Sequence, residues 1–458
     1  MNDFTRLDIA HHLHPQTNLR QHERTGPLVI EAGDGPFVID ADGNRYFEGM
    51  SGLWCATLGF SERRLADAAY RQMAKLPYQQ TFAHRSSVPV IELAAELLRR
   101  APVPMSKVMF QSSGSEAVDT AIKLVWYYQA ARGKPGKRRI IGRRRGYHGT
   151  TVAAASLTGL PNMQTGWGLP LPEMLHVTCP HFYRERLGDE TQEAFVDRLA
   201  VELEALIANE GAETIGAFVA EPVMGTGGVI VPPPGYFDRI QAILRRHDIL
   251  FVVDEVICGF GRTGHYWGSQ AFDLEPDMLT CAKGLSSAYQ PISALMISER
   301  LYDTIADQTD ALGGFGHGYT YGGHPVAAAV ALETLKLYDE YRVLDRVAAT
   351  APVLQNGLRA LAEHPLVGEA RGIGLMGALE LVADKATGRP FDVQKQVPKR
   401  VTDLLQQRGL LLRALGNSVM FAPPLISTTE QITWILSEVS SALDEVVGEL
   451  DKGHAFTD

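Results

Sequence analysis

Cysteine is scarce in this 458-residue chain: Cys55, Cys179, Cys258 and Cys281, none of them in a CxxC pair. Neither a disulfide framework nor a cysteine-based zinc module therefore organises the fold. A basic excess is missing as well. The net charge is −10, whereas a nucleic-acid surface needs a basic face. The one dense basic run, Lys134–Arg145, reads as a solvated loop with strand flanks. No stretch is long and apolar enough to span a bilayer. The opening MNDFTRLDIAHHLHPQ has no apolar core of the signal-peptide type. A reducing, cytoplasmic setting is expected, with no nucleic-acid or membrane partner. His11, His12 and His14 cluster near the start, but without an evident carboxylate or cysteine frame they read as a solvated helix face or arm, and no metal is expected. Internal repeats and low-complexity tracts are absent too.

What is present is apolar residues in bulk, 45% of the chain, enough to bury one large domain and a smaller one. Residues 1–30 read as an arm. Residues 28–50 alternate apolar runs with turns at Gly33–Pro36 and Asp42–Asn44, a small antiparallel meander. SGLWCATLGF reads as a loop with an exposed aromatic, Trp54. Helical spacing covers Glu62–Lys75 and Val90–Arg100. From there strand, loop and helix alternate, with KVMF, RIIG, GAFVAEPV, ILFVVDEV, MLTCA and ISALMIS as strands. These are continuous apolar runs, buried on both faces, which predicts an α/β fold with a mostly parallel sheet covered by helices. A helix over Val326–Tyr341 leads into a smaller α/β part with strand-like runs GLMGALELV, LLLRA and SVMFAP and a last helix from about Thr429. The expected division is 1–75 for the arm and part of a small domain, 76–328 for a large domain, and 329–458 for the rest of the small one.

Polar groups gather at the carboxyl ends of the predicted strands, where such sheets bind ligands. Ser112-Ser113-Gly114-Ser115 opens a helix: either an anion cup suited to phosphate or an ordinary N-cap with Glu116. Tyr147, between Gly146 and Gly149, either stacks on a flat ring or simply packs. Glu221 ends another strand. Asp254 ends the run ILFVV and needs a positive partner, either Arg262 or a protonated pyridine nitrogen. Lys283 ends MLTCA beside Gly284; it points to solvent or forms a Schiff base with a carbonyl cofactor. Phosphate cup, stacking aromatic, buried carboxylate and strand-end lysine are together the four contacts that pyridoxal phosphate requires.

FVVDEVICGFGRTG followed by PDMLTCAKGLSSAYQP resembles the signature of class III pyridoxal-phosphate aminotransferases. SSGSEAVDTAIK, GYHGTT, AEPVMGTGGVIVPP, HGYTYGGHP and RGIGLMGALEL match further blocks. Within that family, GLWCATLGF and the AYQP turn resemble the ω-amine:pyruvate branch. The resemblance implies a fold type I transferase with a mostly parallel seven-stranded sheet, a smaller α/β domain built from both chain ends, and active sites at the interface of a homodimer or of a tetramer of such dimers. It implies pyridoxal 5'-phosphate as cofactor, Lys283 as the Schiff-base lysine and Asp254 as the pyridine-nitrogen carboxylate. Ser113, Gly114 and Ser115 would hold the phosphate, with Tyr147 on one ring face and Val256 on the other. Glu221 would lie near the phenolic oxygen and orient Asp254. His148 and Tyr319 fall in cofactor-binding blocks, and Thr320 would reach the phosphate of the partner subunit's cofactor. Trp54, Phe82 and Tyr147 would wall the amine pocket, Thr226 would border it, and Arg413 would pair with a keto-acid carboxylate. The implied activity is amino transfer from a primary amine or ω-amino acid to pyruvate. A glutamate/2-oxoglutarate-linked aminotransferase, or an aminomutase or decarboxylase on the same scaffold, are the alternatives.

Overall fold

The computed structural model describes residues 3–452; the outermost positions of the expected arm and C-terminal segment, 1–2 and 453–458, lie outside the described residues. The arm is helical, Asp3–His11 and then Leu19–Thr25. Asp8 sits among His12, His14 and His22, so this stretch does carry a carboxylate, contrary to expectation. The meander follows as β1 (Ile30–Asp34), β2 (Phe37–Asp40) and β3 (Arg45–Glu48), antiparallel throughout. Asp40 closes its second turn, accepting the amides of Asp42 at 3.0 Å and Asn44 at 2.8 Å. The next segment differs from expectation. Ser51–Trp54 is a short kinked helix, and Trp54 is buried rather than exposed, packed with Met50, Val223, Ile257 and Met376. The reason is apolar area: an indole this large gains more from that cleft than from water.

The central sheet holds β4 (Lys107–Gln111), β5 (Arg139–Arg143), β6 (Met174–Val177), β7 (Ile215–Ala220), β8 (Leu250–Asp254), β9 (Met278–Cys281) and β10 (Ser293–Ile297). Its seven strands run in the order β4-β10-β9-β8-β7-β5-β6. Only β10 opposes its neighbours; the pairs from β9 through β6 are parallel. Every residue of β7, β8, β9 and β10 is buried, as continuous apolar runs require. The basic run before and within β5 is less solvated than its composition suggests. Lys137 and Arg143 are buried, and they donate to the carbonyls of Asp248 and Glu221 respectively. Backbone oxygens take up part of the donors, and the Asp248 carboxylate lies 3.5 Å from the Lys137 amine.

Beyond the helices Pro325–Glu340 and Val343–Leu361 come β11 (Val367–Ile373), β12 (Met376–Asp384), β13 (Arg389–Pro390), β14 (Leu410–Leu411), β15 (Arg413–Leu415) and β16 (Ser418–Phe421). The LLLRA run thus splits in two. β15 joins the sheet β11-β12-β16-β15, while β14 adds parallel to β3, Leu410 opposite Phe47. That pairing puts both ends of the chain in one sheet, as the smaller domain was expected to be built. The helix Thr429–Asp451 closes the fold, started by a Thr428/Gln431 capping box. Among the described residues no helix is long and apolar enough to cross a membrane.

Candidate active site

A cavity of about 180 Å³ opens at the carboxyl ends of β8 and β9, and Asp254, Lys283, Tyr147 and Glu221 all line it. Lys283 follows directly after β9 and Ala282. Its φ of +47° lies in the left-handed region, which is rare for a side chain of this size. Its amine makes no hydrogen bond or ion pair among the described residues. Burial pulls the amine's pKa down, with Asp254 and Glu221 pulling weakly the other way. An unpaired amine whose pKa is drawn down, at a strained backbone position, is suited to react rather than to support structure.

Asp254 is held from three sides. His148 Nδ1 lies 2.8 Å from one carboxylate oxygen; the amide of Val256 at 3.1 Å and the hydroxyl of Thr280 at 3.2 Å donate to the other. Arg262, the candidate partner in the sequence, does not reach it. That guanidinium donates instead to the carbonyls of Leu375 and Pro423 and to Ser51. Glu221 does not orient Asp254 either. Its carboxylate accepts the amides of Tyr147 at 3.0 Å and Gly225 at 2.9 Å, tying the aromatic to the turn that carries Thr226. Burial raises the pKa of Glu221. The neighbouring Glu255 faces away, accepting the amides of Gly268 and Ser269, and burial pushes its pKa up to about 7.

The helix Gly114–Ala131 points its start at the cavity. Ser113 is its N-cap: its hydroxyl accepts the Glu116 amide, and Glu116 in return accepts the amides of Ser112 and Ser113. Ser113 is therefore spent on the cap and does not line the cavity; Gly114 and Ser115 do. Their amides belong to the first turn, which has no intrahelical acceptors and favours an anion. Space is tight here. A Cβ on Gly114 would stand 3.1 Å from Val256, and one on Gly149 (φ +137°) 2.5 Å from the Ser115 hydroxyl, which accepts the Thr150 amide at 3.1 Å.

Pyridoxal phosphate fits this arrangement. First-turn amides suit the phosphate, Tyr147 and Val256 both border the space for a flat ring, Asp254 suits a protonated ring nitrogen, and Lys283 is an unpaired amine. The Nε2 of His148, a residue that lines this cavity, is buried and without a partner among the described residues. The structure does not bring every expected residue here. Phe82 and Tyr319 line a larger, separate groove of about 660 Å³. The Thr320 carbonyl accepts the Tyr78 hydroxyl at 2.8 Å away from the cavity. Arg413 is half-buried within electrostatic reach of Tyr147. Two supports were missed in the sequence, Thr280 and the Asp254 contact of His148. Thr280 had a visible signal: it is the one hydroxyl in MLTCA, and the register sets it opposite Asp254.

A largely parallel α/β scaffold with a partly buried strand-end lysine and a carboxylate one strand away defines a pyridoxal-phosphate transferase of fold type I. The model of the family Aminotransferase class-III matches residues 19–443. The chain is 47% identical over 428 residues to gamma-aminobutyrate transaminase 1, mitochondrial, of Oryza sativa subsp. indica, covering 93% of this chain and 83% of that one. The ω transaminase of Pseudomonas jessenii in complex with PMP superimposes with a TM-score of 0.97 at 50% identity, covering 99% of this chain and 100% of that one. A transaminase solved with L-alanine, 51% identical, gives a TM-score of 0.91 over 92% of this chain and 100% of that one. The chain belongs to the class III aminotransferases, enzymes that use pyridoxal phosphate.

Proposed function

We propose that this aminotransferase moves an amino group from a primary amine or an ω-amino acid to pyruvate, giving an aldehyde or ketone and alanine. The observation that carries the acceptor side is Arg413. Its half-buried guanidinium has no carboxylate partner among the described residues, and burial lowers its pKa. A partly desolvated cation in that state calls for an anion, and a keto-acid carboxylate matches its fork of donors. The L-alanine bound to one solved relative supports the pyruvate–alanine pair. γ-Aminobutyrate, named for the rice relative, is an ω-amino acid and supports the donor class.

Bound in the cavity, pyridoxal phosphate supplies an electron sink. Lys283 Nζ takes the proton from the reacting carbon of the amine and later delivers it, a role that needs the neutral amine which burial favours. Asp254 would hold the proton on the ring nitrogen, with His148 and Thr280 keeping that carboxylate in place. Gly114 and Ser115 would hold the phosphate. Trp54 and Tyr147 shape the amine pocket, and Glu221 fixes Tyr147 and the Thr226 turn through their backbone amides. Phe82, Tyr319 and Thr320 complete the site of a second subunit in a homodimer. Their position supports this: they lie away from the Lys283 cavity, on a face where Phe82, Ile91 and Tyr321 are exposed. Four free thiols suit a reducing, cytoplasmic setting.

The test is a half-reaction scan. Adding an amine donor to the holoenzyme bleaches the cofactor's visible band, and pyruvate restores it. Restoration mainly by 2-oxoglutarate would replace pyruvate with a glutamate-linked cycle. Release of carbon dioxide, or isomerisation without keto-acid exchange, would replace transfer itself.

A further inference from the structure

The N-terminal arm holds a second constellation that the amino-transfer reaction does not use. The helix Asp3–His11 presents Asp8 to three imidazoles. His14 Nε2 lies 2.8 Å and His22 Nε2 2.9 Å from Asp8 Oδ1, and His12 Nδ1 lies 3.2 Å from Oδ2. His22 comes from the second helix of the arm, Leu19–Thr25, so the group is assembled by folding rather than by local sequence. The two helices are packed closely enough that a Cβ on Gly26 would stand 2.7 Å from a Thr5 methyl carbon. His22 is buried and Asp8 and His14 are partly buried, while His12 is exposed. The rings of His14 and His22 lie 4.0 Å apart, centroid to centroid, and tilted by 33°. One carboxylate has no need of three imidazoles for its own hydrogen bonding, and two stacked rings repel if both are protonated. The constellation makes better sense around a cation.

We propose that Asp8, His14 and His22 bind a divalent transition-metal ion of the zinc type, with the fourth position open to solvent on the side of His12. The donor set is two imidazole nitrogens and one carboxylate oxygen, which suits zinc with a water in the fourth position. The ligand atoms of Asp8, His14 and His22 all lie within 4.8 Å of one another. Zinc bonds of about 2.0–2.1 Å place tetrahedral ligand atoms about 3.3 Å apart. The Asp8–His14 and Asp8–His22 separations of 2.8 and 2.9 Å need to open by about half an ångström, and the two imidazole nitrogens already lie within 4.8 Å of each other. Each Nε2 becomes a ligand when its proton is displaced and Nδ1 carries the remaining one. The ion bridges two helices that are otherwise joined by the seven-residue stretch between them, and so fixes the arm.

The experiment uses tag-free holoenzyme, stripped of metal with a chelator and dialysed against zinc, with bound metal counted per chain. One zinc per chain is expected for the parent and for His11→Ala, whose imidazole is not part of the group. Asp8→Asn and His22→Ala are each expected to weaken binding by roughly 100-fold or more, with the cofactor's visible band unchanged as the sign that the fold is intact. Equal zinc binding in these variants, or no zinc held by the parent at micromolar concentration, overturns the proposal.

Discussion

Two buried charged clusters in this molecule are built in opposite ways. Behind the Thr226 turn, Glu380 accepts from Arg184 at 2.9 Å and from Arg371 at 3.0 Å, and Ser418 adds a hydrogen bond at 2.7 Å. Arg371 also donates to Glu369 and to the carbonyl of Gly228, and His181 meets Glu369 at 2.7 Å. Nearly every charge there is matched, and the network ties β11, β12 and β16 to loops of the central sheet. In the cavity the balance is deliberately incomplete. Asp254 is well held, yet among the described residues the Lys283 amine has no partner and His148 keeps one nitrogen bare. A buried charge with its partners is scaffold; an amine left without one at the mouth of a cavity is placed to meet a ligand.

Substitutions separate the two clusters. Lys283→Ala gives the largest effect: turnover falls about 10⁴-fold, the upper end for a lost acid–base group, while the thermal midpoint stays near or above the parent's. A steady-state assay alongside a melting curve checks both. Glu380→Ala does the reverse. Removing the carboxylate that Arg184 and Arg371 share, with Glu369 still left to Arg371, costs about 3–5 kcal/mol of stability, read from denaturant midpoints, with turnover per folded chain close to the parent's. The same carboxylate predicts an acid limb. Burial pushes its pKa up, but Arg371, Ser418 and Arg184 outweigh that and hold it at about 2 against an ordinary 4.5. Its stabilisation is thus complete above pH 4.5 and fades as pH falls toward 2, and Glu380→Gln flattens that part of the stability–pH curve. Asp254→Asn lowers kcat roughly 10²–10³-fold and retains cofactor, which absorbance of the dialysed protein verifies. Smallest is Arg413→Ala: the keto-acid half-reaction weakens roughly 10–100-fold and the plain-amine half-reaction barely changes. Equal loss in both halves would remove Arg413 from carboxylate binding and leave it as structure.

The same contrast explains what could be read from the sequence. The central strands were legible because parallel strands buried on both faces appear as unbroken apolar runs. β6 was not, being four residues long at the edge of the sheet, and β11 was not, because Glu369 and Arg371 break its apolar pattern to serve the paired network. Lys283 and Asp254 stood out as lone charges ending apolar runs. The partners of charged groups were harder. Arg262 looked like the natural counter-ion of Asp254, but it caps backbone carbonyls in the small domain, a choice set by chain segments more than 100 residues away. Ser113 carried both a cap and a cup reading, and the Glu116 side chain decides between them. Trp54 was misjudged because glycines on both sides suggested a solvated loop, while its burial depends on Val223, Ile257 and Met376, distant in sequence.

The left-handed backbone at Lys283 has a consequence for anyone hardening this protein against heat. Glycine occupies that region freely, whereas a residue with a Cβ gives up roughly 1–2 kcal/mol there. In the cofactor-free chain, selection for durability alone would favour glycine at position 283, and a screen scored only on surviving heat would favour the loss of the amine; bound cofactor works the other way. The durable and the working molecule part company at that residue. Improvement is safer at Asp273, exposed and also left-handed at φ +49°, where glycine relaxes the chain and the cavity is untouched.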